Sequence, residues 1–293
     1  MAPSFPAYRP TLDESLYYLD AEALAFFKSL TGIDDDVALK EHILAVQAKA
    51  YAFAPYPCIR MLSFTRLKIS KLPAYQGVLA LGREREGAIL LDIGCCFGND
   101  ARKAVVDGFP VRNVLVSDLR RELWDFGHEL FKSTPETFPA HFIAGDALEP
   151  SMLEITPPLS ASESPDATCP DLSTLTSLNP VRGYVSAIHA SSFFHLFGEA
   201  KQLHLARALA GLLSPLPGSV IFGSHVARRD EKGLLAEELY GQRFEMFCHC
   251  PASWEEMWDL VFEKGSVSIK GDLKPVSKDG ETFWVLVWSV TRI

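Results

Sequence analysis

The chain has 293 residues, 48% of them hydrophobic and 11% aromatic, which is enough for a sizeable core in one large domain or one domain with an appendage. A formal net charge of -9 with no long basic run argues against a nucleic-acid partner. The sequence has no apolar run of the roughly 18 residues that cross a bilayer and no basic head before an apolar stretch at its start, so the six cysteines read as reduced thiols of a cytoplasmic protein.

Residues 12–50 carry apolar positions at helical spacing in "LYYLDAEALAFFKSL" and again in "ALKEHILAVQAKAY", with Thr31, Gly32 and three acids between them. The proline-punctuated, aromatic and basic stretch "AFAPYPCIRMLSFTRLKISKLPAY" follows and is expected to wrap back over the main domain. From residue 88 strands and helices alternate. "AILLDIG" reads as a strand and "GNDARKAVVDG" as a helix closed by Gly108. "VRNVLVSDL" is a second strand, and "RRELWDFGHELFKS" is a helix with Leu123, Trp124, Gly127, Leu130 and Phe131 on one face. "AHFIAGDAL" is a third strand ending in an acid.

Residues 155–180, rich in Ser, Thr and Pro, read as a surface insertion. "VRGYVSAIHASSFFHLF" is a fourth strand with its loop, "EAKQLHLARALAGLLS" an amphipathic helix and "GSVIFGSHV" a fifth strand. "SWEEMWDLVFEK" reads as a helix with Ser253 at its N-cap and Glu256 at its third position. "VSIKGDLKPV" and "ETFWVLVWSVTRI" close the chain as a hairpin. The expected fold is therefore α/β: a mostly parallel sheet of seven strands, Rossmann-like, with an antiparallel last strand and an N-terminal helical cap. The expected division is a cap or lid over residues 1–84 and a ligand-binding domain over 85–293.

Open parallel sheets bind ligands at the carboxyl ends of their strands, near the switch in strand order. Asp92 stands at such an end, and Gly94 and Gly98 bracket a turn where a missing side chain lets a ligand come close to the backbone. Asp118 ends the next strand, where a carboxylate can accept both hydroxyls of a ribose. Asp146 ends the third and can accept from the exocyclic amine of a purine. One glycine turn is a weak signal; three acids ending three successive strands are a much more specific one. The dinucleotide fingerprint G-x-G-x-x-G fits poorly, because the order here is D-x-G-x-x-x-G without the middle glycine.

These motifs resemble those of the class I S-adenosylmethionine-dependent methyltransferases over roughly residues 85–293. "LLDIGCCFG" looks like their first motif, "VSDL" like their ribose-binding acid, "AGDAL" like their adenine-side acid and "AIHASSFFHLF" like their fourth-strand motif. "GCCFGNDARK" and "SSFFHLF" are similar to fungal methyltransferases of secondary metabolism, some of which methylate carboxyl or hydroxyl groups. The resemblance implies S-adenosyl-L-methionine as cofactor and S-adenosyl-L-homocysteine as product. It puts Asp92, Gly94, Cys95, Phe97 and Gly98 around the methionine part, Asp118 and Leu119 at the ribose, and Asp146, Ala147 and Leu148 at the adenine. The first motif departs from the wider class in its two cysteines and in the bulk of Phe97.

Other residues have bland readings beside sharper ones. Cys95 and Cys96 suffice as small, soft residues in a tight turn. Cys248, His249 and Cys250 lack the second ligand pair of a structural zinc site, so no metal is expected. His189 and His195 flank the end of the fourth strand; each is a core histidine or a general base. Tyr17 and Tyr18 pack as helix residues or cover the cofactor. Arg60, Arg66, Lys68 and Lys71 form a solvated basic face, with Arg60 as a fork for an acidic acceptor. Trp254 is core or a substrate platform, and His225 with residues 240–258 is expected to line the acceptor pocket. Asp100 and Arg102, at the start of the first helix of the main domain, are assigned no chemistry.

The expected activity is methyl transfer to a carboxyl or hydroxyl group of a small secondary metabolite, by a monomer or homodimer. The rivals are a cofactor-binding relative that transfers no methyl and a nucleotide-dependent oxidoreductase.

Overall fold

Asp20 starts the first helix: its carboxylate accepts the N–H of Ala23 at 2.8 Å, and α1 runs over Ala21–Thr31 until Gly32 closes it at φ 67°. Asp35 caps α2 (Asp36–Phe53) in the same way. The helical pattern expected from residue 12 begins later than its apolar spacing suggests, because a 3-10 turn at Glu14–Leu16 and an extended Asp20 precede the cap. The computed structural model describes residues 10–165, 168–239, 242–278 and 281–293.

The elements that follow are α3 (Pro57–Arg60), α4 (Tyr75–Glu84), β1 (Ile89–Ile93), α5 (Asn99–Val106), β2 (Val114–Asp118), α6 (Arg121–Leu130) and β3 (His141–Ala144). The second half holds β4 (Val185–His189), α7 (Glu199–Leu212), β5 (Val220–Ala227), β6 (Gly233–Leu239), β7 (Gln242–Cys248), α8 (Pro251–Asp259), β8 (Val267–Lys278) and β9 (Glu281–Arg292). Seven strands form one sheet in the order β3-β2-β1-β4-β5-β9-β8, with β1 to β5 parallel and β9 antiparallel to both neighbours. This is the mostly parallel sheet expected from the strand-helix alternation.

Both faces of the sheet are covered, which explains why every residue of β1 is buried and its sequence is almost continuously apolar. Ile89, Leu91 and Ile93 join Leu205 and Leu209 of α7 and Trp254 and Trp258 of α8 in one core cluster. Leu90, one step along the pleat, joins Tyr75 and Val78 of α4 and Ala101 and Ala104 of α5 in another. A third cluster packs the N-terminal helices, through Phe27, Ile43 and Ile59, against Phe97, Leu123 and Phe131 of the main sheet's turns and α6.

Three local features differ from the sequence reading. β6 and β7 pair as a separate antiparallel hairpin that the reading does not contain. Cys250, not Ser253, is the N-cap of α8; Ser253 is the third helical residue and reaches back to the Cys250 N–H at 3.1 Å, completing a capping box. In the 155–180 stretch, Leu175 and Leu178 are buried in the core, and Arg292 at the end of β9 donates to the Leu159 carbonyl at 2.6 Å, so part of this segment is held against the sheet. Of the acceptor-pocket span, residues 240 and 241 lie outside the described residues.

Candidate active site

β1 has β2 on one side and β4 on the other, so the strand order reverses beside it and leaves a crevice at its carboxyl end. The turn there is built on backbone bonds: the N–H groups of Gly94 and Cys95 both donate to the Ser117 carbonyl, at 2.8 and 3.2 Å, and Gly98 N–H donates to the Cys95 carbonyl at 2.7 Å. Gly94 and Gly98 have φ of 71° and 70°, the left-handed region where a side chain is strained. The space each leaves is filled by the protein. A Cβ on Gly94 would stand 2.8 Å from the Phe193 ring, and one on Gly98 would stand 2.3 Å from Trp124. Packing alone therefore requires both glycines. Phe97 is fully buried, edge-on to Phe64 at 4.6 Å between ring centroids.

Asp118 steadies the same turn. One oxygen accepts Cys96 N–H at 2.8 Å and the other accepts Arg120 N–H at 3.1 Å, and burial raises its carboxyl above the usual range. It is thus less solvent-facing than a bare strand end. Asp92 and Asp118 both act electrostatically on Cys95, which sits between them in the turn. Cys95 is buried, and burial pushes its thiol well up, so it is an inert lining group. Asp146 follows β3 and accepts Leu148 N–H at 3.0 Å; Ala147 is buried, Leu148 half-buried and Leu119 exposed.

At the end of β4, His189 is fully enclosed. Its Nδ1 lies 2.8 Å from an Asp92 oxygen and its Nε2 2.7 Å from Ser191 Oγ, which also accepts Ser224 N–H at 3.2 Å. This chain ties β1, β4 and β5 together at their carboxyl ends. Burial alone would lower the His189 pKa, but the Asp92 charge and hydrogen bond leave it raised. Burial raises Asp92 despite the imidazole beside it, and the second Asp92 oxygen is buried without a partner among the described residues.

His195 and His225 lie further along the same wall, 6.5 Å apart between ring centroids. Burial, helped by the Lys68 charge, lowers the His195 pKa to about 4. Burial holds His225 well below its ordinary value. Both are therefore neutral near pH 7. His195 Nδ1 and His225 Nε2 are buried with no partner among the described residues. Trp254, with no exposed surface, lies 4.6 Å from His225 between centroids.

The segment between α3 and α4 lies over this crevice. Asp100, in the first turn of α5, accepts the N–H groups of Lys68 and Ile69 at 2.9 and 2.8 Å. Lys68 Nζ donates to Ser192 Oγ at 3.0 Å, just beyond β4. Tyr56 hydrogen-bonds Arg120 and stands near Asp118. The sequence reading puts Lys68 on a solvated basic face and does not single out Tyr56 or Arg120; nothing in their local pattern marks them. Ser191 and Ser192 lie inside the "AIHASSFFHLF" motif that the reading does single out. Of the other expected substrate residues, Tyr18 is 74% exposed, and Arg60 donates to the Thr11 carbonyl at 2.9 Å.

A family model described as the meroterpenoid methyltransferase N-terminal domain matches residues 8–65. The chain is 34% identical over 221 residues to the asnovolin E/chermesin D methyltransferase of Aspergillus novofumigatus, covering 75% of this chain and 69% of that protein. It is 31% identical to the methyltransferase adrK of Penicillium rubens, over 79% of this chain and 73% of that one. It is also 29% identical to the O-methyltransferase phiE of a fungal species, over 75% and 64% of the two chains.

Proposed function

The chain belongs to the same family of class I S-adenosylmethionine-dependent methyltransferases as these fungal enzymes of secondary metabolism, and on that premise we propose that it methylates an oxygen of a small, ring-containing metabolite, with a carboxylate as the acceptor. When bound, S-adenosylmethionine supplies a methyl group already activated by a positive sulfur.

The residues at the crevice fit that cofactor. The partnerless, buried oxygen of Asp92 is an acceptor awaiting a donor, such as an ammonium group. Each Asp118 oxygen accepts one backbone N–H and keeps a second lone pair for a ribose hydroxyl. Asp146 uses one oxygen on its own turn and has the other to offer toward the adenine. Gly94, Cys95, Phe97 and Gly98 shape the turn, and Leu119, Ala147 and Leu148 flank the two acids. Residues 10–84 of the expected 1–84 cap are proposed to close the site; residues 1–9 lie outside the described residues.

One observation carries the choice of acceptor: none of His189, His195 and His225, the histidines of β4, its loop and β5, offers a ring nitrogen that is both free and basic near neutrality. His189 spends both ring nitrogens within the protein, and His195 and His225 are too weakly basic to hold a proton near neutrality. A carboxylate arrives ionised and needs no base, whereas an alcohol does. The chain's work is then to hold the acceptor in line and keep water out, which can supply effective molarities of about 10⁵ M. His195, His225 and Trp254 are proposed to line the acceptor side, with Arg60 and Tyr18 at its outer edge. The name of the relative phiE, an O-methyltransferase, supports oxygen as the methylated atom.

The test is methyl transfer from labelled S-adenosylmethionine to asnovolin E, chermesin D and their carboxylic-acid and alcohol analogues, with alkaline hydrolysis of the product. A base-labile methyl ester is the expected result. A product that survives hydrolysis overturns the carboxylate assignment.

A further inference from the structure

The crevice that receives the cofactor is lined by Asp92, Asp118 and Asp146, a set suited to a positive sulfur, an ammonium and hydroxyl groups. The same cofactor also carries a carboxylate, and a carboxylate beside acids needs a cation to offset them. Among the described residues, Arg102, Arg120 and Lys68 bring cationic side chains near the glycine turn. Arg102 is caged between Trp124, Phe131 and Phe138, at 4.7, 4.8 and 4.5 Å from the ring centroids, and donates to the Phe97 carbonyl at 2.9 Å. Arg120 lies by Asp118 on the β2 side, bonded to Tyr56 and facing the Phe53 ring at 6.0 Å.

Lys68 differs from both. Its backbone N–H is held by Asp100, so the stem starts from a fixed point over α5. Its ammonium reaches across to Ser192, on the β4 side of β1, where the methyl-bearing end of the cofactor is expected. That ammonium acts electrostatically on Asp92, His189, His195 and Cys96, which surround the turn. It spends one of its three N–H groups on Ser192 Oγ at 3.0 Å, an uncharged partner.

We propose that Lys68 is a carboxylate-binding residue, and that the carboxylate it holds is that of the cofactor's methionine end. The inference rests on the methyltransferase reading of the site. It also gives the segment between α3 and α4 a purpose: as a strap over the crevice, it brings a positive charge to strand ends that carry acids.

Calorimetric titration with S-adenosylhomocysteine and with its decarboxylated analogue tests this. Lys68→Met keeps the apolar stem and the backbone bonds to Asp100, and is expected to weaken S-adenosylhomocysteine binding by about ten-fold or more, the scale of a charge-assisted hydrogen bond. Lys68→Arg is expected to retain most of the affinity. The decarboxylated analogue is expected to bind the parent and Lys68→Met alike, and Ser192→Ala, which removes the tether and leaves the charge, to bind S-adenosylhomocysteine within about three-fold of the parent. Equal S-adenosylhomocysteine affinity for the parent and Lys68→Met overturns the assignment. An equal loss on both ligands also overturns it, because Lys68 would then be a structural tether. If Lys68→Met binds S-adenosylhomocysteine normally but shows a raised KM for the acceptor, the carboxylate belongs to the acceptor and the assignment to the cofactor fails. No heat from the parent protein with S-adenosylhomocysteine refutes the methyltransferase reading itself, and the inference with it.

Discussion

The indole N–H of Trp288 on β9 donates to Nδ1 of His225 on β5 at 3.0 Å. An indole nitrogen can only donate, so the His225 proton is confined to Nε2. Because burial also holds the imidazole well below its ordinary pKa, it stays neutral. Nitrogen NMR is expected to find His225 as the Nε2–H tautomer, unchanged between pH 6 and 8. Trp288→Phe keeps a ring in place but removes the donor; it should cost about 1 kcal/mol in denaturant unfolding and release the tautomer. A variant still locked as Nε2–H would show that Trp288 does not set it.

His189 and Asp92 form a buried pair, so deleting one partner strands the other. His189→Ala is expected to cost about 3–5 kcal/mol of folding stability. The sign with pH follows from the raised His189 pKa: the native state keeps a proton that the unfolded chain gives up near 6.5. The contribution is complete below that value and is lost as pH rises through the native pKa. The raised Asp92 pKa acts in the same direction. Urea midpoints of the parent should therefore fall on going from pH 6 to pH 9 more than those of His189→Gln. Parallel pH curves for the two proteins would contradict the linkage.

Turnover should be insensitive to His195 as a base. With a pKa of about 4 it is neutral across pH 6 to 8, so the rate profile is expected to lack a limb near 6.5. His195→Ala is expected to lower kcat by less than about ten-fold, short of the 10²-fold or more that loss of a general base produces. A larger loss with a new pH dependence would restore His195 as the base and point to an alcohol acceptor.

The two glycines of the turn should not be equivalent. Gly98→Ala drives a methyl into Trp124 and Arg102 at a positive φ and is expected to destabilise by about 3 kcal/mol or more. Gly94→Ala, also at a positive φ, meets the Phe193 ring first, so Phe193→Leu should recover part of its loss. Thermal unfolding of the two single variants and the double variant reads this directly; additive losses at Gly94 and Phe193 would be incompatible with it.

Asp118→Ala is expected to weaken S-adenosylhomocysteine binding by about ten-fold or more, since it removes the carboxylate proposed to accept the ribose hydroxyls and the partner of Cys96 N–H. Burial raises this carboxyl above 3.8, so affinity should begin to fall on acidification at a higher pH than for an ordinary carboxylate. Calorimetry from pH 7 down to pH 4 checks the direction, and an affinity that rises on acidification would reject it.

Much of this architecture was legible from residue order alone. β1, β2, β4 and β5 are buried runs flanked by helices with clear apolar stripes, and both signals are local in the chain. The ends of β1, β2 and β3 are marked by Asp92, Asp118 and Asp146, because an acid after an apolar run is visible without any long-range contact. Other features had no local trace. The β6–β7 hairpin draws its pairing from partners that periodicity cannot weigh, and Ser253 could serve as cap or third residue until the chain path chose Cys250 as the cap. The partners of each side chain were decided only by folding: His189 meets Asp92 from 97 residues away, and Lys68 meets Ser192 across 124. Those distances in sequence vanish because a parallel sheet brings successive strand ends to one edge, and a strap anchored by Asp100 falls across it. Residue order thus determined which groups stand at the edge. Tertiary packing decided which of them are buried, paired or left with a free nitrogen or oxygen, since burial and partnership depend on what the rest of the chain lays on top.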